Sequence, residues 1–441
     1  MAAEPIPAQI TAACAAVRPA TLADAVAGVQ PQIVAAPAST SEASTLLRAA
    51  SDLALAVVAR GTGSRLHWGN PPERCDLVIE TTGMDEVVEH AAGDLVATVQ
   101  AGVRLDRLAE VLARAGQRLA LDPPPTEEPA ASRGTVGGVL ATGAAGPLRL
   151  RYGSGRDLLI GITVVRADGT IARSGGKVVK NVAGYDLGKL FAGSCGTLGL
   201  ITQATFRLHP LPAQVGYVAA ECPDPTPMAH ALRTATEAEF NPVAAEIHWP
   251  SGTAPIGVCI ALEGDPASVA ARGEALSGML GRLGRVSPAS LQAEPPAWWV
   301  KGAAAQSDGT VLQIGFWPAD LAKVLVELRR LAATAGLDPM ISGSAAAGQL
   351  TAALPSDQDP AAVAAFVTAL RDAISPNGSG PDHPAEGPPS RTSVVIQHAP
   401  AAVAAQVDLF GPVPSLPLMR AVKAQFDPAR IMAPGRFAGG I

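Results

Sequence analysis

Between Gly193 and Gly199 glycine recurs at every third position, in G-S-C-G-T-L-G, and the run passes directly into the alternating pattern of Leu200 to Leu208. Few features of a chain restrict its fold as tightly. Backbone without Cβ atoms in that rhythm lets a flat, bulky ligand approach the main chain, and the strand that follows anchors the turn in a sheet. The wider stretch, Gly175 to Pro210, reads as a turn that presents backbone N–H groups to a ligand and then returns into a strand.

Two further segments share this character. Arg60-Gly61-Thr62-Gly63-Ser64-Arg65 ends an apolar run that starts at Leu53, and its glycines suit an anion-holding nest for a phosphate or pyrophosphate. Thr135 to Gly146 lies inside D-P-P-P-T-E-E-P-A-A-S-R-G-T-V-G-G-V-L-A-T-G-A-A-G-P, too rich in Gly, Pro and Ala to pack as one ordinary helix or strand throughout. A single G-x-G turn is more often structural than functional. Three in order, each beside a strand, argue for one extended ligand. The first loop runs into L-H-W-G-N-P-P, where Pro71 and Pro72 forbid a long helix, so a Rossmann fingerprint is excluded.

At 441 residues the chain exceeds what one core usually serves, and two domains are expected. No apolar stretch approaches the roughly 20 residues of a membrane-spanning helix, and the first thirty residues do not read as a secretory signal, so a cytoplasmic protein is expected. The net charge of −6 and the absence of a basic stripe argue against nucleic-acid binding. Cys14, Cys75, Cys195, Cys222 and Cys259 stand singly, without metal-ligand spacing, so no metal site is expected.

Along the chain, Pro37 to Ala50 reads as a helix capped by Ser41 or Ser44. Strands are expected at Leu77 to Glu80, Leu95 to Gln100 and Ile160 to Arg166, and a helix over Asp106 to Ala115. After Pro212 the glycine density falls. Strands at Ala244 to Trp249, Gly257 to Leu262, Val311 to Phe316 and Ser393 to Gln397 alternate with helices at Pro266 to Leu283, Ala319 to Ala335 and Pro360 to Ile374. This pattern predicts a second α+β domain on an antiparallel sheet. Ser375 to Arg391 is too polar and too rich in Pro and Gly to fold alone and is expected to be mobile; Leu416 to Phe426 reads as a last helix.

With these segments in view, residues 30 to 212 resemble the FAD-binding domain of the vanillyl-alcohol oxidase, or PCMH, type. R-G-T-G-S is similar to that family's first pyrophosphate loop, S-R-G-T-V-G-G-V-L-A-T-G-A-A-G to its second and G-S-C-G-T-L-G-L-I-T to its third. The resemblance implies FAD contacts from Arg60, Gly61, Thr62, Gly63 and Ser64 in the first loop. In the second it implies Thr135, Gly137, Gly138, Ala141, Thr142 and Gly143, and in the third Gly196, Gly199, Leu200 and Ile201.

K-N-V-A-G-Y-D-L, G-G-K-V-V, L-D-P-P-P and the terminal F-D-P-A-R-I-M-A-P-G-R-F further resemble the FAD-binding E subunit of bacterial glycolate oxidase. That likeness implies an α+β protein: an N-terminal segment (1–29), a FAD-binding domain of two α+β subdomains (30–212), an antiparallel-sheet cap domain (213–405) and a C-terminal segment returning to the FAD domain (406–441). It implies oxidation of 2-hydroxy acids such as glycolate or D-lactate by hydride transfer to flavin. It also implies assembly with a second FAD-binding subunit and an iron–sulfur subunit, the only route to membrane association. Two alternatives stand beside this reading: a flavin-holding assembly or electron-relay subunit without turnover of its own, and a stand-alone FAD oxidase of sugars or alcohols.

Gly63-Ser64-Arg65 stands where many relatives carry a flavin-linking histidine, so noncovalent FAD is expected, with His67 as a loop residue. No paired histidine motif is present, and His209, His230, His248, His383 and His398 are isolated in the sequence. The catalytic base is therefore not named, and Tyr185 and Arg436 are the catalytic candidates. Tyr185 and Asp186, with Lys177 and Lys180 nearby, either touch flavin or a carboxylate substrate, or Asp186 caps a helix beginning at Leu187. Arg436 is either a cation reaching the flavin from the tail or a surface residue. Ala433 stands where the family pattern shows Asn.

Overall fold

The computed structural model describes residues 5–125, 133–177, 185–237, 239–283, 285–299, 302, 308–374 and 392–441. Lys180, most of the K-N-V-A-G-Y-D-L motif, His383 and all of Ser375 to Arg391 lie outside the described residues. Contacts divide the chain into two units. The first joins Met1–Ala145, Gly153–Leu211 and Val413–Ile441; the second joins Gly146–Tyr152 and Pro212–Pro412.

The first unit holds two main sheets. The smaller has the order Val17–Pro19, Ile33–Ala35, Leu77–Glu80, Val57–Arg60, with the first pair antiparallel and the others parallel. Leu77, Val78 and Ile79 are fully buried, as a short apolar run in the middle of a parallel sheet should be. The larger sheet is antiparallel: Val87–Ala91, Val96–Gln100, Leu200–Arg207, Leu159–Val165, Ile171–Gly175. Leu200–Arg207 lies at its centre, so the glycine turn before it is held by strands on both sides.

The first long helix is Thr40–Asp52, and its cap corrects the sequence reading. Ser39, not Ser41 or Ser44, accepts the Glu42 backbone N–H, while the Glu42 carboxylate accepts N–H groups from Ala15 and Ala38. Ser44 is buried and donates to the Gly169 carbonyl. The Gly/Ala-rich segment holds one short helix, Val136–Thr142, capped by Thr135, whose side chain accepts from Gly138 N–H. Glycine is needed there for packing: a Cβ on Gly137 would lie 2.8 Å from the Ala101 Cβ.

The tail completes the smaller sheet. Ile431 accepts from Val57 N–H at 2.7 Å and Ala433 donates to the Val57 carbonyl at 2.8 Å, a parallel bridge beside the strand that leads into the first glycine loop. Ala433 adopts φ 44°, in the left-handed region where Asn is favoured over Ala.

The second unit is an eight-stranded antiparallel sheet. Its order is Ser290–Gln292, Gln214–Cys222, Ile256–Gly264, Ala244–Trp249, Met340–Gly343, Gln349–Leu354, Thr310–Gly315, Ser393–His398. Helices Pro225–Glu237, Pro266–Arg282, Leu321–Thr334 and Pro360–Ile374 share its main core, to which the central strand contributes Ala245, Ile247 and Trp249. The alternate residues, Glu246 and His248, project to the other face by the period-two rule of a strand. Among the described residues no helix is long and apolar enough to cross a membrane.

Candidate functional site

The Val57–Arg60 strand delivers the first glycine loop to a fixed place because its last residue is clamped. Arg60 donates to Asp24 and Glu80, each at 2.7 Å, and Arg18 forks onto the same Asp24 carboxylate. The Arg18 hydrogen bonds, with help from Thr21 and Arg60, hold Asp24 far below the usual carboxylate range against the opposing effect of burial. From there Gly61 passes so close to the neighbouring helix that a Cβ would stand 2.1 Å from Thr135 Oγ1. Gly63 follows at φ 81°, a turn that glycine makes without strain.

The second and third segments are stitched to each other. Gly193 N–H donates to Leu140 and Cys195 N–H to Ala141, so the glycine turn rests on the end of helix Val136–Thr142. Cys195 itself takes a left-handed φ of 52° between glycines. These segments converge on one cavity. Every sequence-predicted cofactor residue lines it except Gly143, which ends the helix in left-handed geometry and packs against Gly193 instead.

Sequence reasoning missed several other lining residues, including Arg65, Trp68, Thr81 and Cys195. Arg65 directly follows the glycine loop, which was the available signal. It is buried, donates to the Pro124 and Arg133 carbonyls and lies over the Trp68 ring; burial pushes its pKa down to about 10.

Arg436 reaches the same wall from the tail. At 5% exposure it is not a surface residue. One end of its guanidinium donates to the Leu66 and Trp68 carbonyls at 2.8 and 2.6 Å, while Nη1 is buried without a hydrogen-bond partner. Thr62 Oγ1, on the first loop, is a second buried polar atom without a partner. An unpaired buried donor is costly, and a ligand with acceptor oxygens at this wall would satisfy both groups.

Other sequence candidates lie elsewhere. Tyr185 is 91% exposed and does not line this cavity. Lys177 pairs with Glu89. Asp186 pairs with Lys189 and does not cap the short helix Gly188–Phe191, whose cap position is Leu187 with no side-chain bond. His67 is exposed. In the second unit His248 stacks on Trp298 with ring centroids 5.3 Å apart, and burial lowers its pKa. Among the described residues no group of three His, Cys, Asp or Glu is placed to hold a metal ion.

Residues 31–175 match the family described as FAD binding domain, and residues 410–437 match the C-terminal domain of FAD linked oxidases. These two stretches are similar to FAD-linked oxidases, and FAD is the cofactor the matched domains imply. Among curated relatives, the chain is 41% identical over 184 residues to glycolate oxidase subunit GlcD of Bacillus subtilis, covering 41% of this chain and 38% of that protein. It is 40% identical over 178 residues to D-lactate dehydrogenase of Archaeoglobus fulgidus, covering 40% and 39%. With glycolate oxidase subunit GlcE of Escherichia coli it shares 36% identity over 156 residues, covering 35% and 43%. The matched stretch thus spans about two fifths of each relative's length. A solved structure of p-cresol methylhydroxylase superposes with a TM-score of 0.68 at 15% identity, covering 92% of this chain and 89% of that one, a likeness of fold.

Proposed function

We propose that this chain is the FAD-binding subunit, of the E type, in a glycolate-oxidase-like complex that oxidises small 2-hydroxy acids such as glycolate or D-lactate. The observation that carries the reading is the convergence of three glycine-rich segments and a buried tail arginine on one cavity, within a chain whose relatives are named for these substrates. Bound FAD would supply the hydride acceptor. The chain's own residues would hold the cofactor: Gly61, Gly137 and Gly199 by letting the segments that line the cavity pack closely on their neighbours, and Thr62 and Arg436 through polar groups left without a protein partner. A second FAD-binding subunit and an iron–sulfur subunit would complete the complex.

The loop supports noncovalent attachment, since Gly63-Ser64-Arg65 holds no histidine and His67 is exposed. Flavin that stays with the pellet after acid precipitation would overturn it. Two observations favour the alternative of a flavin-holding subunit without turnover: Tyr185 does not line this cavity, and among the described residues no histidine does.

An anaerobic spectrum of the isolated chain separates the two. Flavin bands that bleach on adding glycolate or D-lactate support a competent site here. Bands that stay oxidised until the partner flavoprotein is added assign the chemistry to that partner.

A further inference from the structure

We infer that Arg436 is the clamp for the cofactor's diphosphate, and that with Thr62 it makes this chain select a dinucleotide over flavins that lack the diphosphate. The inference rests on the FAD reading above and goes beyond it, because that reading does not say which part of the cofactor Arg436 holds and the sequence offered it only as a catalytic candidate or a cation reaching the flavin.

Charge is the first argument. Arg65 and Arg436 both line the cavity and are both buried, yet every hydrogen-bond acceptor assigned to them is a backbone carbonyl or a hydroxyl; none is a carboxylate. The ionisable groups coupled to Arg436 are the thiols of Cys195 and Cys75, and burial pushes these up to about 11 and about 12, so they are neutral at pH 7 and leave the guanidinium uncompensated. Among the described residues neither cation has a counter-charge, and buried cations in that state are expensive unless a ligand supplies the anion. The diphosphate of a dinucleotide is doubly anionic; oxidised isoalloxazine is neutral and asks for no such field.

Geometry is the second argument. Arg436 is oriented by two carbonyls of the first glycine segment's continuation, Leu66 and Trp68, which leaves Nη1 as its one uncommitted end. Thr62, on the same segment, contributes the other uncommitted group. A hydroxyl on the first loop and a guanidinium N–H from the tail, held against that loop's continuation, suit adjacent phosphoryl oxygens, where charge-assisted bonds are strongest.

The test uses the full chain freed of flavin, titrated calorimetrically with FAD, FMN, riboflavin and ADP. Loss of a charged hydrogen bond in a buried site predicts that Arg436→Met weakens FAD and ADP by about ten- to a hundredfold while riboflavin changes less than about twofold. Arg436→Lys should recover part of the FAD affinity. Thr62→Val keeps the shape and removes the hydroxyl, and should cost FAD and ADP up to about tenfold. It carries the test if Arg436→Met does not fold, as judged by its melting curve. The ³¹P resonances of bound FAD should move in both variants. Equal weakening of riboflavin and FAD, or unchanged ADP affinity in Thr62→Val and Arg436→Lys, would overturn the assignment. A wild-type chain that binds neither FAD nor ADP would sink the cofactor reading itself, a result distinct from any variant outcome.

Discussion

Gly61 shows how much rests on one missing methyl. A Cβ there meets Thr135 Oγ1 at 2.1 Å, so Gly61→Ala must displace either the loop or the cap of the Val136–Thr142 helix. Overpacking of this kind costs about 1–3 kcal/mol, and the loop that moves lines the cavity proposed for the cofactor. Lower melting temperature together with weaker FAD binding is expected. The clash also predicts coupling: Thr135→Ala alone loses a cap worth about 1 kcal/mol, yet it removes the obstructing oxygen. The double variant should therefore be more stable than the sum of the single losses, and strict additivity in urea titrations would contradict the contact.

Asp24 is the residue whose protonation should show in stability. Its folded pKa is depressed chiefly by Arg18, so its contribution is complete above the unfolded value of about 4 and is lost as pH falls below it. Asp24→Asn should cost stability at pH 7, because Arg60 keeps only Glu80 and Arg18 loses its near partner, and it should flatten the acid limb below about pH 5. Denaturant midpoints at pH 7, 5 and 3 check this, and parallel pH slopes for wild type and variant would count against it.

Among the elements, the helix Leu416–Phe426 has the most to hold. Near its end Lys423 Nζ donates to the Thr197 carbonyl in the third glycine turn, to the Met432 carbonyl and to Asp427, all within 2.8 Å. Asp427 is fully buried and also accepts N–H groups from Ile431 and Met432. Removing one partner of a buried pair typically costs about 3–5 kcal/mol, since the other charge stays behind. Lys423→Met should then loosen both the tail and the glycine turn, seen as faster hydrogen exchange at Thr197 to Leu200 and at Ile431 to Ala433. Exchange confined to the helix itself would refute the coupling. That helix was legible in the sequence at both ends, as were Leu77–Glu80 and Pro360–Ile374, because apolar runs there have clear flanks. Gln214–Cys222 and Gln349–Leu354 were not, since Gly216 and the paired alanines Ala219-Ala220 and Ala352-Ala353 dilute their β-branched and aromatic signal. Pro225–Glu237 was hidden by prolines at Pro225 and Pro227, in its first turn, where proline is tolerated. The glycine loops could be read locally. The burial of Arg436 could not, because it depends on Leu66 and Trp68, which lie more than 360 residues earlier in the chain.

At the scale of the whole molecule, the first unit is discontinuous: Val413–Ile441 belongs with residues that come before Leu211. All three glycine-rich segments precede that return, so a chain ending at Pro412 keeps every loop that resembles a cofactor loop. The structure nonetheless predicts that it cannot hold FAD. It would lack the bridge of Ile431 and Ala433 to Val57, exposing the strand that ends in the first loop. It would lack Lys423, which fixes the third turn through Thr197, and Arg436, one of the two uncompensated cations at the wall. It would also uncover Val57, Val58 and Leu200, buried residues that pack in the same clusters as Ile431, Met432 and Ala433. The expected outcome is a second unit that retains its circular dichroism and protease resistance, beside a first unit that is cut readily and shows no flavin absorbance. Adding the tail back as a separate peptide should restore some FAD binding if its contacts act as described. A truncated chain that binds FAD as well as the full one would mean that the loops alone make the site and that the tail merely covers it.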